Sequence, residues 1–359
     1  MSEYAVSVIA GDGIGPEVMP EAIRCVDAVA PEFGFQVRWR RLDWGSDRYL
    51  RTGSMMPDDG LDLLAEDDAI LLGAVGVPEI SDVTTLWGLL IPIRRRFEQY
   101  VNLRPAKTLD GVRGNTARPF DLVIVRENTE GEYSEIGGRI NRGLPDEMAL
   151  QTATFSRKGV TRVARYAMEL AGRREHRVTS ATKSNGLIHS MPFWDEVVTE
   201  VAAHYPEVVV DQLLVDALAA KLVESPDRFD VIVASNLFGD ILSDLTAALS
   251  GSIGVAPSAN INPEREHPSM FEPVHGSAPD IAGQGVANPV GQIWAAAMML
   301  DHLGEPAAAA RIVDAFEAVL RAGISTPDLG GSASTREFTD HVLSALGTEE
   351  SPSTARAGV

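Results

Sequence analysis

Short runs of residues that are apolar on both faces alternate along this chain with longer segments in which apolar residues recur at helical spacing. The strand-like runs are 4–10, 69–75, 121–126, 177–181 and 230–235, and the clearest helical segments are 17–31 and 89–100. A run that is apolar throughout predicts a strand buried on both sides, because a half-buried strand alternates apolar and polar residues. We therefore predict an α/β fold with helices packed on a sheet.

Length and charge limit the possible functions. The chain has 359 residues, of which 45% are hydrophobic, and a formal net charge of -20. Such a length predicts about two domains. Nucleic acids and anionic membranes bind clustered Lys and Arg, so we expect neither as a partner.

With no basic-then-apolar leader and no apolar run of about 18 residues, we expect a cytoplasmic protein. We interpret the single cysteine, Cys25, as a small buried apolar side chain.

Three glycines, Gly11, Gly13 and Gly15, follow the first strand-like run. A dinucleotide fingerprint reads G-x-G-x-x-G, and here Pro16 stands at the position of its third glycine. The Lys and Ser or Thr of a P-loop are also missing. Proline suits the first turn of a helix, because its missing N–H has no partner there. We therefore predict a strand–turn–helix junction, with the cofactor site elsewhere.

Asp240 and Asp244 stand four residues apart in a segment that follows the strand-like run 230–235. That spacing puts both carboxylates on one face of a helix, where like charges destabilise it by roughly 0.2–0.5 kcal/mol. A hard divalent cation with oxygen ligands would compensate them, and Asp216 is a candidate third ligand. From the pair alone, a metal site and a solvated acidic face remain equally open.

This acidic chain concentrates arginines in one short segment, and a further arginine ends a strand-like run. Planar guanidinium groups bind carboxylates through paired hydrogen bonds, so Arg94, Arg104 and Arg126 are candidate ligands of an acidic substrate. For Arg95 and Arg96 we favour a solvated helix face.

Further polar residues follow strand-like runs. Lys183 and Tyr133 both do so, and α/β proteins commonly place their sites at such strand ends. The segment 271–289 adds glycines, polar side chains and an acid. Taken alone, each of these is compatible with an ordinary surface or turn residue.

Four separated motifs carry a resemblance to a known family. They are Asn102-Leu-Arg-Pro105, Lys183-Ser-Asn185, Phe238-Gly-Asp-Ile-Leu-Ser-Asp244 and His275-Gly-Ser-Ala-Pro-Asp-Ile-Ala-Gly283. Over residues 4–345 the chain resembles the metal-dependent β-decarboxylating dehydrogenases, which include isocitrate, 3-isopropylmalate, tartrate and D-malate dehydrogenases. Within that family, segments 126–134, 181–187 and 233–239 are most similar to the tartrate and decarboxylating D-malate enzymes.

The resemblance implies an isopropylmalate dehydrogenase-like, non-Rossmann α/β fold with two domains and a large mixed sheet. Residues 1–99 plus 253–345 would form a cofactor-binding domain from both chain ends. Residues 100–252 would form a central domain with the metal site and the interface of a homodimer. The small, polar residues 346–359 are predicted to be a disordered tail.

The resemblance also implies NAD and Mn²⁺ or Mg²⁺ as cofactors, with K⁺ as a candidate third, and a small dicarboxylate substrate. Asp240 and Asp244 would hold the divalent cation together with Asp216 of the partner subunit, and Lys183 would also come from the partner. Lys183 would take the proton of the substrate hydroxyl, and Tyr133 would protonate carbon after CO₂ has left. The expected cofactor-binding residues are His275, Gly276, Ser277, Ala278, Asp280, Ile281 and Asn288.

Two positions bear on cofactor and substrate choice. Asp280 can accept hydrogen bonds from a ribose 2′-hydroxyl and would repel a 2′-phosphate, so we predict NAD rather than NADP. Relatives that bind the phosphate carry Lys and Tyr at positions 280 and 281. The isopropylmalate enzymes carry Glu where Trp87 stands, and an indole there shrinks the pocket in favour of D-malate or tartrate. Leu90 and Ile91 stay apolar and keep 3-isopropylmalate open, while a catalytically silent dimeric scaffold is the non-enzyme alternative.

Overall fold

The computed structural model describes residues 2–116 and 118–347. The strands in those residues are β1 (Ser2–Gly11), β2 (Phe35–Leu42), β3 (Ala69–Ala74), β4 (Val101–Lys107), β5 (Asp121–Glu127), β6 (Gly137–Ile140), β7 (Met148–Gln151), β8 (Arg177–Thr182), β9 (Val209–Leu214), β10 (Val231–Ala234), β11 (Pro257–Ile261) and β12 (Ser269–Pro273). Ten of them form one sheet in the order β2-β1-β3-β12-β11-β4-β5-β10-β8-β9, and β6 pairs with β7 in a separate ribbon.

The helices in the same residues are α1 (Gly15–Phe33), α2 (Ser46–Thr52), α3 (Gly60–Leu64), α4 (Asp82–Thr85), α5 (Ile91–Arg96), α6 (Arg157–Gly172), α7 (Ser190–Ala202), α8 (Val215–Glu224), α9 (Asn236–Leu249), α10 (Val290–Leu303), α11 (Pro306–Arg321) and α12 (Thr335–Leu346). A π-helical turn, Leu86–Leu90, joins α4 to α5. Of the predicted tail, Leu346 ends α12, and residues 348–359 lie outside the described residues. The predicted α/β class with a large mixed sheet is confirmed.

The sheet changes strand direction in its middle. β11 is antiparallel to β12 and to β4, and β4 is antiparallel to β5. The other neighbours in the described sheet run parallel. Strands from residues 1–99 and 253–345 form one half of the sheet, and strands from residues 100–252 form the other. The domain boundaries themselves stay a prediction.

The predicted strands are confirmed, with small shifts at their ends. The helix predicted at 89–100 begins earlier, at Asp82, and ends at Arg96. The chain then turns through Glu98, whose φ is 42°, and enters β4 directly. No helix of residues 2–116 or 118–347 combines the length and apolar character needed to cross a bilayer.

The core lies on both faces of the sheet. β3 and β10 are buried along their whole length, as expected of strands that are apolar throughout. α10 is buried on every side from Val290 to Leu300, which places it among other elements rather than at the surface. Cys25 is buried in α1, where burial raises its pKa to about 12, so it acts as the apolar side chain predicted.

The glycine-rich opening is a strand–turn–helix junction, as predicted. Gly11 and Gly13 have φ of 72° and 56°, a region that favours glycine. A Cβ on Gly13 would lie 2.0 Å from the backbone oxygen of Ser277, so the junction packs directly against the loop after β12. Asp12 fixes the turn by accepting hydrogen bonds from Ser46 N at 2.9 Å and from Gly76 N at 2.8 Å.

His302 should make folding sensitive to acid. It lies in α10 with its ring centroid 5.6 Å from that of Phe271, and burial lowers its pKa from 6.5 to about 4. The unfolded chain therefore binds the proton more readily, and stability is lost as the pH falls from about 6.5 towards 4. At pH 5 the loss from this group should be about 2 kcal/mol.

Urea unfolding at pH 7 and pH 5 checks this prediction. His302→Gln should lose less stability between the two pH values than the wild type. The exposed His341→Gln is the matched control and should follow the wild type. Equal pH dependence in all three proteins would contradict the prediction.

Candidate active site

Two acidic side chains meet on one face of α9. Ser235 caps this helix by accepting a hydrogen bond from Phe238 N, so α9 starts directly after β10. Arg104, on β4, has its Nη1 3.6 Å from Asp240 Oδ1 and 3.5 Å from Asp244 Oδ1. The two carboxylates therefore converge on one guanidinium group.

Asp240 also contacts two further predicted site residues. Arg126 Nη1 forms an ion pair with Asp240 Oδ1, and Tyr133 Oη donates a hydrogen bond to Asp240 Oδ2 at 2.9 Å. Arg126 Nε and Nη2 both donate to Asn236 Oδ1, at 3.0 and 2.7 Å. A Cβ on Gly239 would lie 2.6 Å from Arg126 Cβ, so glycine there lets β5 and α9 approach closely enough for these contacts.

Burial and charge shift the pKa values in this cluster. Burial lowers the pKa of Arg126 to about 10, and Arg104 acts in the same direction. Burial opposes ionisation of Asp240, but the guanidinium groups of Arg126 and Arg104 outweigh it and keep its pKa below the usual value. Burial and the Asp240 charge raise the pKa of Tyr133. Tyr133 therefore keeps its proton at neutral pH and can donate it.

A buried polar network links Arg94 to Arg104. Arg94 Nη2 pairs with Glu272 Oε1 at 2.9 Å, and Asn260 Nδ2 donates to the same oxygen at 2.7 Å. Asn102 Nδ2 donates to Asn260 Oδ1 at 3.0 Å, and Asn102 Oδ1 accepts from Arg104 Nε at 2.8 Å. The two arginines are thus held through three strands, β12, β11 and β4.

Asn102, Asn260 and Glu272 were missed as site-supporting residues by the sequence analysis. All three are buried in strands whose other residues are mostly apolar or small. A polar side chain inside a buried strand needs a partner, and that was the available signal. Their common location depends on the strand order, which spacing along the chain does not give.

Lys183 and Asp216 contact each other. Lys183 Nζ lies 2.8 Å from Asp216 Oδ1, and this partner lowers the pKa of the exposed Asp216. Within residues 2–116 and 118–347 of one chain, no three His, Cys, Asp or Glu side chains are grouped closely enough to hold a metal ion. One chain therefore brings together Asp240 and Asp244, and places Asp216 apart from them with Lys183.

The predicted cofactor residues form the loop between β12 and α10. His275 Nδ1 lies 2.9 Å from Gly276 O, while its buried Nε2 has no hydrogen-bond partner among the described residues. Burial also lowers the pKa of His275. Asn288 Nδ2 donates to Asp328 Oδ2 at 3.0 Å. Of the other predicted residues, Gly276 and Asp280 are exposed, Ser277 is buried, and Ala278 and Ile281 are half-buried beside α1.

This chain is similar to known proteins over nearly its whole length. The model of the isocitrate/isopropylmalate dehydrogenase family matches residues 5–342. A probable tartrate dehydrogenase/decarboxylase of Bacillus subtilis is 53% identical over 96% of this chain and 99% of the relative. A decarboxylating D-malate dehydrogenase of Escherichia coli is 51% identical over 95% of this chain and 98% of the relative.

This chain belongs to the isocitrate/isopropylmalate dehydrogenase family. The predicted resemblance is confirmed, and so is the prediction of an enzyme, because its relatives are named dehydrogenases. The crystal structure of isocitrate dehydrogenase from Methylococcus capsulatus, 37% identical, superposes with a TM-score of 0.87 over 96% of this chain and 99% of that chain.

For a dehydrogenase of this family, the donor chemistry of the site fits the groups that the resemblance implies. Asp240 and Asp244 present hard carboxylate oxygens on one helix face, which suits Mn²⁺ or Mg²⁺. His275 Nε2 is a buried polar atom without a described partner, beside the exposed backbone of Gly276. Such an atom is available to a bound cofactor.

The predicted substrate residues Trp87 and Leu90 lie in the π-helical turn and are half-buried. Trp87 reaches the rest of the site through Arg95, whose Cζ lies 5.0 Å from the centre of the indole ring. Single π-helical turns are often found at functional sites.

A separate cavity of about 240 Å³ lies on the other face of β4 and β5 and is lined partly by Pro105, Lys107 and Trp294. Successive residues of a strand point to opposite faces, so Asn102 and Arg104 face the acidic cluster while Pro105 and Lys107 do not. This cavity is therefore not continuous with the candidate active site through the sheet.

The Arg94–Glu272 pair should be important for folding. Glu272→Gln would leave the buried Arg94 guanidinium without its counter-charge, which costs about 3 kcal/mol. Urea unfolding measures this loss. The exposed pair of Arg51 and Asp43 provides the control, since Asp43→Asn should cost less than about 1 kcal/mol. Similar losses in both variants would contradict the prediction.

Proposed function

We propose that this enzyme oxidises a small 2-hydroxy diacid, D-malate or tartrate, with NAD and Mn²⁺ or Mg²⁺, and that it converts D-malate to pyruvate and CO₂. The observation that carries the proposal is the convergence of Asp240, Asp244 and Tyr133 on the buried guanidinium groups of Arg104 and Arg126. Relatives named tartrate and D-malate dehydrogenases, at about half identity, support the same substrate class.

The arginines bind and orient the substrate. Arg94, Arg104 and Arg126 are buried, so their guanidinium groups act where water screens charge weakly. They hold the substrate carboxylates in fixed positions, which aligns the carboxylate that leaves as CO₂. Arg126 and Arg104 are already within ion-pair distance of the acids of α9, so the substrate enters a site with both signs of charge in place.

Two groups move protons. Lys183 takes the proton of the substrate hydroxyl, and Tyr133 delivers a proton to the carbon that has lost CO₂. The raised pKa of Tyr133 keeps it protonated until that step. Asp240 and Asp244 would hold the divalent cation, which would supply Lewis-acid stabilisation of negative charge.

The loop 275–288 would bind NAD, which supplies the hydride acceptor. Asp280 is exposed at this loop, where its carboxylate accepts hydrogen bonds from a ribose hydroxyl and repels a 2′-phosphate. His275 Nε2 and the exposed backbone of Gly276 are the further polar groups of this surface.

A homodimer would complete the site, with Lys183 and Asp216 contributed to the neighbouring subunit. Four large apolar side chains of the β6–β7 segment, Ile136, Ile140, Met148 and Leu150, are each more than half exposed. An exposed ribbon of this kind favours burial against another surface. Ile241 beside Asp240 and Ile188 near Lys183 are exposed as well, at 57% and 67%. Apolar surface thus flanks both parts of the proposed metal site, which supports their meeting across an interface.

Purified protein with NAD, Mn²⁺ and K⁺ should form NADH with D-malate or tartrate faster than with 3-isopropylmalate, because Trp87 limits the space for an isopropyl group. NADP should be the poorer cofactor. EDTA should abolish the reaction, and Mn²⁺ should restore it. A clear preference for 3-isopropylmalate would replace the proposed substrate with the alternative that Leu90 and Ile91 leave open.

A mixture of two inactive variants tests the shared site. Lys183→Ala and Asp240→Asn each damage both sites of their own homodimer. If Lys183 serves the neighbouring subunit, a mixed dimer regains one intact site, and random mixing restores about a quarter of wild-type turnover. The unmixed variants are the controls. Absence of recovery in proven mixed dimers would show that each chain uses its own Lys183.

A further inference from the structure

Arg95 contacts three groups around the proposed substrate site. Its Cζ lies 5.0 Å from the centre of the Trp87 ring, its Nη2 donates to Tyr133 O at 3.2 Å, and its Nη1 pairs with Glu135 Oε2 at 2.6 Å. The expectation of a solvated helix face is therefore wrong for Arg95, whose side chain is 33% exposed. The expectation of a solvated helix face holds for Arg96, whose side chain is 52% exposed and whose Nη2 lies 3.7 Å from Asp62 Oδ1.

We propose that Arg95 is a positioning residue that fixes Trp87 and Tyr133 relative to each other, so that one side chain controls both substrate size and proton delivery. This inference rests on the proposed function, in which Trp87 limits the pocket and Tyr133 protonates carbon. Among the described residues, Arg95 is the side chain that contacts both Trp87 and Tyr133.

Tyr133 needs an anchor other than its hydroxyl group. It lies between β5 and β6, and its hydroxyl donates to Asp240 in this structure. A hydroxyl that donates a proton to substrate must leave that hydrogen bond. The bond from Arg95 to the Tyr133 carbonyl does not involve the hydroxyl, so it keeps the backbone in place during the transfer.

Trp87 also needs a lateral contact. The π-helical turn offers a less regular backbone than an α-helix. A guanidinium group over an indole ring is attracted to the ring face and holds the ring in one orientation. Only a planar fork can cover the ring, donate to a carbonyl and pair with Glu135 at once, so lysine is no substitute.

The kinetic test compares Arg95→Leu with the neighbouring control Arg96→Leu. Arg95→Leu should lower kcat for D-malate about tenfold, because Tyr133 is displaced from the substrate. It should also lower the ratio of kcat/KM for D-malate to that for 3-isopropylmalate about tenfold, because Trp87 no longer limits the pocket. Arg95→Leu should also lower the melting temperature, because it removes the contacts of Arg95 with Trp87, Tyr133 and Glu135. Arg95→Lys should restore the melting temperature but not the selectivity ratio. Arg96→Leu should match the wild type in both quantities.

Fluorescence tests the position of Trp87 without any substrate. The difference between the emission spectra of the wild type and of Trp87→Phe gives the emission of Trp87. In Arg95→Leu that emission should be quenched more strongly by acrylamide than in the wild type or in Arg96→Leu. If the wild type reduces NAD with neither diacid, the proposed function fails, while stronger quenching would still support the contact. Unchanged quenching, or a lower melting temperature with an unchanged selectivity ratio, would overturn the role of Arg95.

Discussion

The contact of Arg104 with two carboxylates of α9 is the interaction on which the site depends. Asp240 and Asp244 repel each other at their helical spacing, and Arg104 lies buried where an unpaired charge is costly. The positive charge of Arg104 therefore compensates the two carboxylates, and the carboxylates compensate the buried guanidinium group. The neighbouring buried guanidinium groups of Arg126 and Arg94 extend this balance to Asp240 and Glu272. The charges that bind substrate in the proposed mechanism also hold β4, β5 and α9 together.

The parts of the site that follow from local periodicity could be predicted from the sequence. The spacing of Asp240 and Asp244 places them on one helix face whatever the rest of the fold does. The buried strands were likewise marked by runs that are apolar throughout. The partners of Arg94 could not be found in this way, because Glu272 lies 178 residues away and meets it only through the order of β12, β11 and β4.

Arg95 shows why exposure of a helix residue is hard to read from composition. A triplet of arginines predicts a solvated face, and the next residue, Arg96, has one. Arg95 differs because the π-helical turn brings Trp87 beneath it and the loop after β5 brings Tyr133 beside it. Neither of these two contacts is indicated by a pattern in the sequence. The separation of Asp216 from Asp240 was in contrast implied by the family resemblance, which assigns these residues to different subunits of one site.

The π-helical turn Leu86–Leu90 contains one more residue than an α-helical turn needs. Each residue of an α-helix turns the chain by about 100° around the axis. Loss of a single residue between Trp87 and α5 would therefore rotate the indole away from the pocket while leaving α5, with its buried Arg94, in register with the sheet. Change in the length of this turn offers evolution a way to reshape the substrate pocket without altering any residue that binds the shared carboxylates.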